Sequence, residues 1–388
     1  MSVTKVTNDN IVDVSAETVS GTLPALNASA VLNMPTGENM IESADFPAVD
    51  SNMELGQLWL NTTSGEIFVC TDASTNENVW KNIAAGADHV TPPWQFQGTV
   101  AGYAAGGANY VAAIEKVAYA SDGDAVESGS TLEFAYQGSA GSKSKTHGYV
   151  MNGYNSSSGT NAKVQKYSFT TAGQSVDIGN LTISKYCPGG GSSELKGYSI
   201  AGLDWKTDIS YQSHTVDGDH GQLGTLFGSE MGYCGAMSGP TEILAEIGWN
   251  GTQSVNIIVL ASDTTSTDHC DMLGGRYGQI CASSITHGYS MKAHSHRNEV
   301  RKTGFATGSV QVHVTGLILH DTMYQSGAGH CSETHAYAHG GYMSNSNPHP
   351  GHLKHIQKFA FATDSDLVDV GNVTAAKESD GWMASAQI

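Results

Sequence analysis

The 388-residue chain is short of the features that would point to the commonest functional classes. It has 9 prolines and only 18 lysines and arginines against 37 acids, a net charge of −19. A surface so acidic repels phosphate backbones and anionic bilayers, which argues against a nucleic-acid partner. No run of about 18 apolar residues occurs, so no membrane span is expected. The first twenty residues lack the basic-then-apolar order of a secretory leader, which places synthesis and first folding in a cytoplasm. Six cysteines, Cys70, Cys187, Cys234, Cys270, Cys281 and Cys331, form no C-x-x-C and read as reduced, buried thiols. G-x-S-x-G, H-E-x-x-H and a phosphate-binding glycine loop are also missing, so no enzyme class is indicated.

What is present is glycine, 46 residues of it, and an internal repeat. Residues 148–182 and 336–374 share Gln165/Gln357, Lys166/Lys358, Phe169/Phe361, Val176/Val368, Asp177/Asp369, Gly179/Gly371, Asn180/Asn372 and Thr182/Thr374. Weaker copies align on Tyr119, His214, Leu260 and Phe305, which gives six units at a step of about 48 residues, the spacing of propeller blades. Each unit holds four short runs bounded by Gly, Ser, Asn and Asp. In the second unit these are 148–153, 163–170, 175–181 and the region 189–196. The glycine triplet 189–191 reads as a turn between them. Four strands make a sheet that buries both faces only by stacking on its neighbours around an axis. The expected fold is therefore all-β, a β-propeller of about six four-stranded blades over residues 91–388, its two termini pairing to close the ring. A small β-hairpin module with its linker (46–90) and an extended segment (1–45) precede it.

Three stretches resemble proteins of bacteriophage particles. Thr22–Pro35, TLPALNASAVLNMP, is similar to a segment near the start of tail fibres and related appendages, departing from it at Asn27, Ala28 and Val31. Residues 53–83 resemble a small β module of tail and collar proteins, with Gly56, Leu58, Trp59, Asn61, Gly65, Trp80 and Ile83 at the matching positions. Within it Leu58, Leu60, Ile67, Val69, Trp80 and Ile83 are expected to face inward. The phrases GY-x-x-x-G, IQKF-x-F-A-T-D and V-D-V-G-N-x-T resemble kelch-like or regulator-of-chromosome-condensation-like repeats of marine, particularly cyanobacterial, phage structural proteins. The resemblance implies a virion component assembled in a host cytoplasm, a tail, collar or head fibre that is usually trimeric. Leu23, Pro24, Leu26, Leu58, Trp59 and Trp80 would then dock to other virion proteins.

Two sets of side chains are candidates for recognition. Tyr154, Trp205, Trp249 and Tyr342 lie near the first glycine of four units, where rim aromatics would stack on the sugar rings of a host-surface glycan; the alternative is aromatic packing between blades. Eleven of 16 histidines fall between His287 and His355, and His294, His296, His335, His339, His352 and His355 could bind a transition metal. Against that, the histidines read as sitting at different points of their units, which suits solvated or turn positions. A polysaccharide depolymerase would need paired carboxylates; Asp204 with Asp208 and Asp263 with Asp268 are the nearest, and each reads more simply as a turn acid. A secreted or surface lectin-like propeller is the second functional class.

Overall fold

A computed structural model describes residues 40–83 and 94–388 apart from 204–205, 219, 229–232, 248–252, 263–264, 276, 294–295, 315–326, 341, 344–350, 353, 365–366 and 375–383. The chain divides into two units, Met1–Pro92 and Pro93–Ile388.

In the first unit four strands, Met40–Ser43, Leu58–Asn61, Ile67–Asp72 and Val79–Asn82, form a mixed sheet in that order. Met40–Ser43 runs parallel to Leu58–Asn61, so the module begins before residue 46, and the segment between them reaches the far strands, where its Val49 carbonyl accepts the Asn78 N–H (2.7 Å) and its Gly56 N–H donates to Cys70 (2.8 Å). The indole N–H of Trp59 donates to the Asp45 carbonyl (2.9 Å) and that of Trp80 to the Ala48 carbonyl (3.2 Å), with the two indoles edge to face at 5.8 Å. Asn61 accounts for the spacing of the motif around it. Its buried Oδ1 accepts the N–H groups of Thr63 and Ser64, and Gly65 completes the turn at φ 73°, a conformation open to glycine. Leu58, Leu60, Ile67, Val69 and Trp80 are half-buried, but Ile83 is exposed because it lies one residue beyond the last strand. Among the described residues of this unit the fully buried side chains are Asn61, Cys70 and Asn78, while Phe46, Val49, Leu55 and Val79 face solvent. A sheet this small leaves much of its apolar surface uncovered.

Among the described residues the second unit holds a two-stranded ribbon of Tyr342–Met343 with Gly351–His352 and six antiparallel sheets of four main strands, one of them extended by the short strand Tyr154–Asn155. Their innermost strands are Ala384–Gln387, Ala140–Lys143, Gly189–Ser192, Cys234–Ser238, Ile280–Ser283 and Ala328–Cys331. Each lies against the next, and Ala328–Cys331 lies against Ala384–Gln387, which in turn lies against Ala140–Lys143. The sheets thus form a ring of six blades. The first blade takes its innermost strand from the C-terminus: Ser385 pairs with Ala104 and Ala386 with Tyr103. A strand from one end of the chain bound into the blade at the other removes the free edge of an open array.

Crowding at the axis selects the sequence of the inner strands. A Cβ on Gly190 would stand 2.2 Å from the Gly141 carbonyl oxygen, one on Gly141 2.2 Å from Ser385 backbone, and one on Gly329 2.0 Å from the Cys281 oxygen. Gly189, Gly190 and Gly191 are accordingly an inner strand rather than a turn. Each sequence unit consequently begins one strand later than its blade, since its last run opens the following sheet.

The six alignment residues prove equivalent. Tyr119, Phe169, His214, Leu260, Phe305 and Phe361 each follow the third strand, and each N–H donates to the carbonyl of a residue at or near the first turn of its own blade: Val100, Thr146, Leu195, Thr241, Thr286 and Thr334. Hydrophobic cores fill the gaps between successive blades, as where Tyr289, Met291 and Val300 meet Ala336, Phe359 and Leu367. Burying a side chain of that size contributes roughly 1.5–3 kcal/mol. Ion pairs cross the same gaps near the surface, Lys166–Asp217, Lys302–Asp364 and Lys358–Asp122. All six cysteines are free thiols, and no helix is long and apolar enough to cross a membrane.

Candidate functional site

Strand direction gives the ring two faces. One carries the turns between first and second and between third and fourth strands. The other carries the connections from second to third strand and from each blade into the next.

On the turn face a Ser-x-Thr-His unit recurs. His147, His287 and His335 each donate a backbone N–H to the serine three residues before (3.0–3.1 Å), while the imidazole Nδ1 meets the hydroxyl of the preceding threonine at 2.8 Å. These three histidines therefore occupy one repeated position, contrary to the reading of histidines as scattered, and their role there is to close a turn. Partial burial and the lysines of the neighbouring ion pairs hold their pKa values below the usual imidazole range. Residues 94–98 cross the axis on this face. Gln97 Nε2 donates to the carbonyls of Ser283 and Ser332 (3.1 Å each), Gly98 N–H to Cys331 (2.9 Å), and the buried Lys143 ammonium to Gln97 (2.9 Å) beneath the Trp94 ring. Burial lowers the Lys143 pKa to about 8. The axial channel behind this plug encloses about 90 Å³, room for a few water molecules. Larger clefts lie between blades on the turn face, one of about 650 Å³ bordered by His287, Tyr289, Lys302 and Phe361.

The connection face is tyrosine-rich. Tyr110 and Tyr154, in second-to-third connections of adjacent blades, lie 6.4 Å apart, and Tyr154 lies 5.5 Å from Tyr186 in the connection between the second and third blades. Tyr233 and Tyr277, in the next two blade-to-blade connections, stack at 5.1 Å and 27°. Tyr110, Tyr154, Tyr186, Tyr233 and Tyr277 are half-buried, and Tyr136 is buried beside them. Burial raises the phenol pKa values of Tyr136 and Tyr186, so both remain neutral hydrogen-bonding groups.

Polar side chains of the third strands fix this backbone. Gln165 Oε1 accepts the Phe134 N–H (2.8 Å) and the Ser175 hydroxyl (3.0 Å), and its Nε2 returns a bond to the Phe134 carbonyl (2.9 Å), two residues before Tyr136. Asn256 holds Phe227 N–H and Ser266 in the same way (2.9 Å each). Arg301 donates to the Gly274 carbonyl (3.0 Å), and Gln311, from the fourth strand of that blade, accepts the Leu273 N–H (3.0 Å), just ahead of Tyr277. A buried amide satisfied on both sides specifies one loop position, which gives Gln165 its place in the repeat.

The sequence candidates fare unevenly against this geometry. Tyr154 lies on the connection face among the tyrosines. Trp205 and Trp249 fall outside the described residues, and Tyr342 is placed on a short strand, Tyr342–Met343, paired with Gly351–His352. Tyr110, Tyr186, Tyr233 and Tyr277 were not singled out, although a tyrosine precedes each of the inner strands that begin at residues 140, 189, 234, 280 and 328. Among the histidines, His335 sits in the turn described above, His339 is buried against His330, and His355 pairs with Asp369 at 2.7 Å. His296 and His352 lie on strands, and His294 falls outside the described residues. Among the described residues no three His, Cys, Asp or Glu side chains gather as metal ligands. His330 also meets the Tyr119 hydroxyl (2.8 Å), and burial together with His339 drives the His330 pKa far down, so its imidazole is a neutral element of the core. Asp208 accepts from Gln222 (2.8 Å) and Asp268 from Ser254 (3.0 Å); Asp204 and Asp263 fall outside the described residues. Leu23, Pro24 and Leu26 also fall outside, whereas Leu58, Trp59 and Trp80 lie in the small sheet.

A scan against protein-family models returns no match for the chain, and no curated protein matches it.

Proposed function

We propose that the chain is a structural component of a bacteriophage particle, a fibre or appendage whose N-terminal part docks to other virion proteins and whose propeller recognises glycans on a host surface. The observation that carries this reading is the division of labour along the chain. A small sheet exposes Phe46, Val49, Leu55 and Val79, more apolar surface than so small a core can cover, and is followed by a ring closed on itself. The first needs a partner to cover it, and the second is complete without one. Residues 94–98 occupy one mouth of the axis, which leaves the opposite face, with its half-buried tyrosines, for binding.

A stand-alone lectin-like propeller is the second reading, favoured by the tyrosine face alone. Neither reading requires catalysis. The hydrogen bonds of Asp208 and Asp268 to their own sheets give no support to a depolymerase.

The discriminating experiment is mass spectrometry of purified particles made with the full chain and with residues 1–83 deleted. The virion reading expects the full chain in stoichiometric amount and its loss on deletion. A chain found free in the lysate, monomeric and glycan-binding, would establish the lectin instead.

A further inference from the structure

We infer that the axial channel, beneath the strap of residues 94–98, binds a small monovalent anion such as chloride, held by the Lys143 ammonium and the hydroxyls of Ser192, Ser238 and Ser283. Such a site is independent of glycan binding and lies at the end of the axis opposite the tyrosines.

Each inner strand ends on the turn face, and the six last residues are Lys143, Ser192, Ser238, Ser283, Cys331 and Gln387. All six border the channel. They are tied sideways around the ring: Lys143 N–H donates to Ser192 Oγ (3.0 Å), Ser192 N–H to Ser238 Oγ (2.9 Å) and Cys331 N–H to Gln387 Oε1 (3.3 Å). A hydroxyl that accepts such a bond keeps its own proton to donate, and among the described residues the protons of Ser192 and Ser238 meet no acceptor. The buried Ser283 hydroxyl makes no hydrogen bond among those residues. Lys143 is buried too, and its ammonium donates once, to the Gln97 carbonyl (2.9 Å). Two of its three N–H groups are left to donate, and no carboxylate pairs with it among the described residues.

Charge and size choose the ligand. No Asp or Glu borders the channel, so the formal charge on its wall is positive although the whole chain is at −19. An ammonium taken out of water without a counter-charge is strongly unfavourable, and one negative charge beside it restores neutrality. Sulfate would leave a negative charge unbalanced in the same confined space. At about 90 Å³ the channel has room for an ion little larger than a water molecule. The same ammonium holds Gln97, whose amide bonds the carbonyls of Ser283 and Ser332, so an anion here fastens the strap to the ring.

The test is a crystal of the full chain soaked in sodium bromide and read by anomalous scattering, together with melting temperatures in sodium chloride and sodium gluconate at equal ionic strength. Gluconate is too large for the channel and controls for salt. Expected are a bromide peak in contact with Lys143 Nζ and a melting temperature that rises with chloride to a gain of about 2–4 °C over gluconate. Lys143→Met should abolish that gain. Should this variant misfold, Ser283→Ala keeps the charge and should raise several-fold the chloride concentration needed for the same gain. Bromide found only on the outer surface, an adventitious ion, would overturn the site, as would equal melting temperatures in chloride and gluconate or a full chloride effect in Lys143→Met. Sulfate as stabilising as chloride at equal ionic strength would overturn the choice of a monovalent ligand.

Discussion

Lys358, on the third strand of the sixth blade, forms an ion pair with Asp122 of the first blade, 236 residues earlier in the chain. The hydroxyl of Tyr337 donates to the same carboxylate (3.3 Å). Lys302, Tyr289 and Asp364 repeat the arrangement between the fifth and sixth blades. The pair across the closing junction thus uses the same parts as one within the array. Replacing Asp122 by Asn should cost about 1 kcal/mol, the upper end for a pair near the surface. A double-mutant cycle with Lys358→Met, read by denaturant unfolding, should give a coupling of similar size. Additive single effects would mean that the two side chains do not interact in solution.

Removal of residues 381–388 takes away the inner strand of the first blade and with it the buried Ala384 and Ala386. The account expects loss of cooperative unfolding by circular dichroism and rapid proteolysis. Partial recovery should follow when a synthetic peptide of that sequence is added. A truncated chain with an unchanged melting temperature would show that the strand is dispensable.

At the axis, Gly190→Ala places a methyl group 2.2 Å from the Gly141 carbonyl oxygen, a backbone atom that only a shift of the strands can relieve. Overpacking of this kind costs roughly 1–3 kcal/mol. Thermal denaturation should register the loss, and a neutral result would contradict the close approach of the inner strands.

His214 supplies a pH dependence. Burial against Tyr149 and near Trp94 lowers its pKa to about 4, against the ordinary value of 6.5 in the unfolded chain. The unfolded state therefore binds the proton more readily. Stability present above pH 6.5 is lost as pH falls toward 4, by up to about 3 kcal/mol. His214→Phe places at this position the residue found at the equivalent positions 169, 305 and 361, and should flatten the dependence over that window. Urea titrations at pH 7 and pH 4.5 measure the difference. An equal fall in both proteins would assign the acid sensitivity elsewhere.

How much of this was legible beforehand depends on the scale of the signal. The repeat step, the six equivalent residues after the third strands and the pairing of the termini follow from spacing alone, because a blade cannot change length without losing its neighbours. The phase of the blades did not follow. Gly189, Gly190 and Gly191 have the composition of a turn, and the reason they form a strand is the Gly141 backbone 2.2 Å from a would-be Cβ, a neighbour no local pattern names. His330 and His339 sit on adjacent strands and meet only through their pairing, so the local wealth of histidine suggested metal ligation at His339 where the structure has a buried histidine pair. The tyrosines before the inner strands were visible as letters, but they gain meaning only once the connections are known to surround one axis.

Electron cryomicroscopy of particles carrying the chain tests the central claim most directly. The account predicts a six-lobed disc at the outer end of a tail, collar or head appendage, with the face of long blade-to-blade connections turned away from the particle. An elongated shaft in its place, or particles that lack the chain altogether, would contradict it.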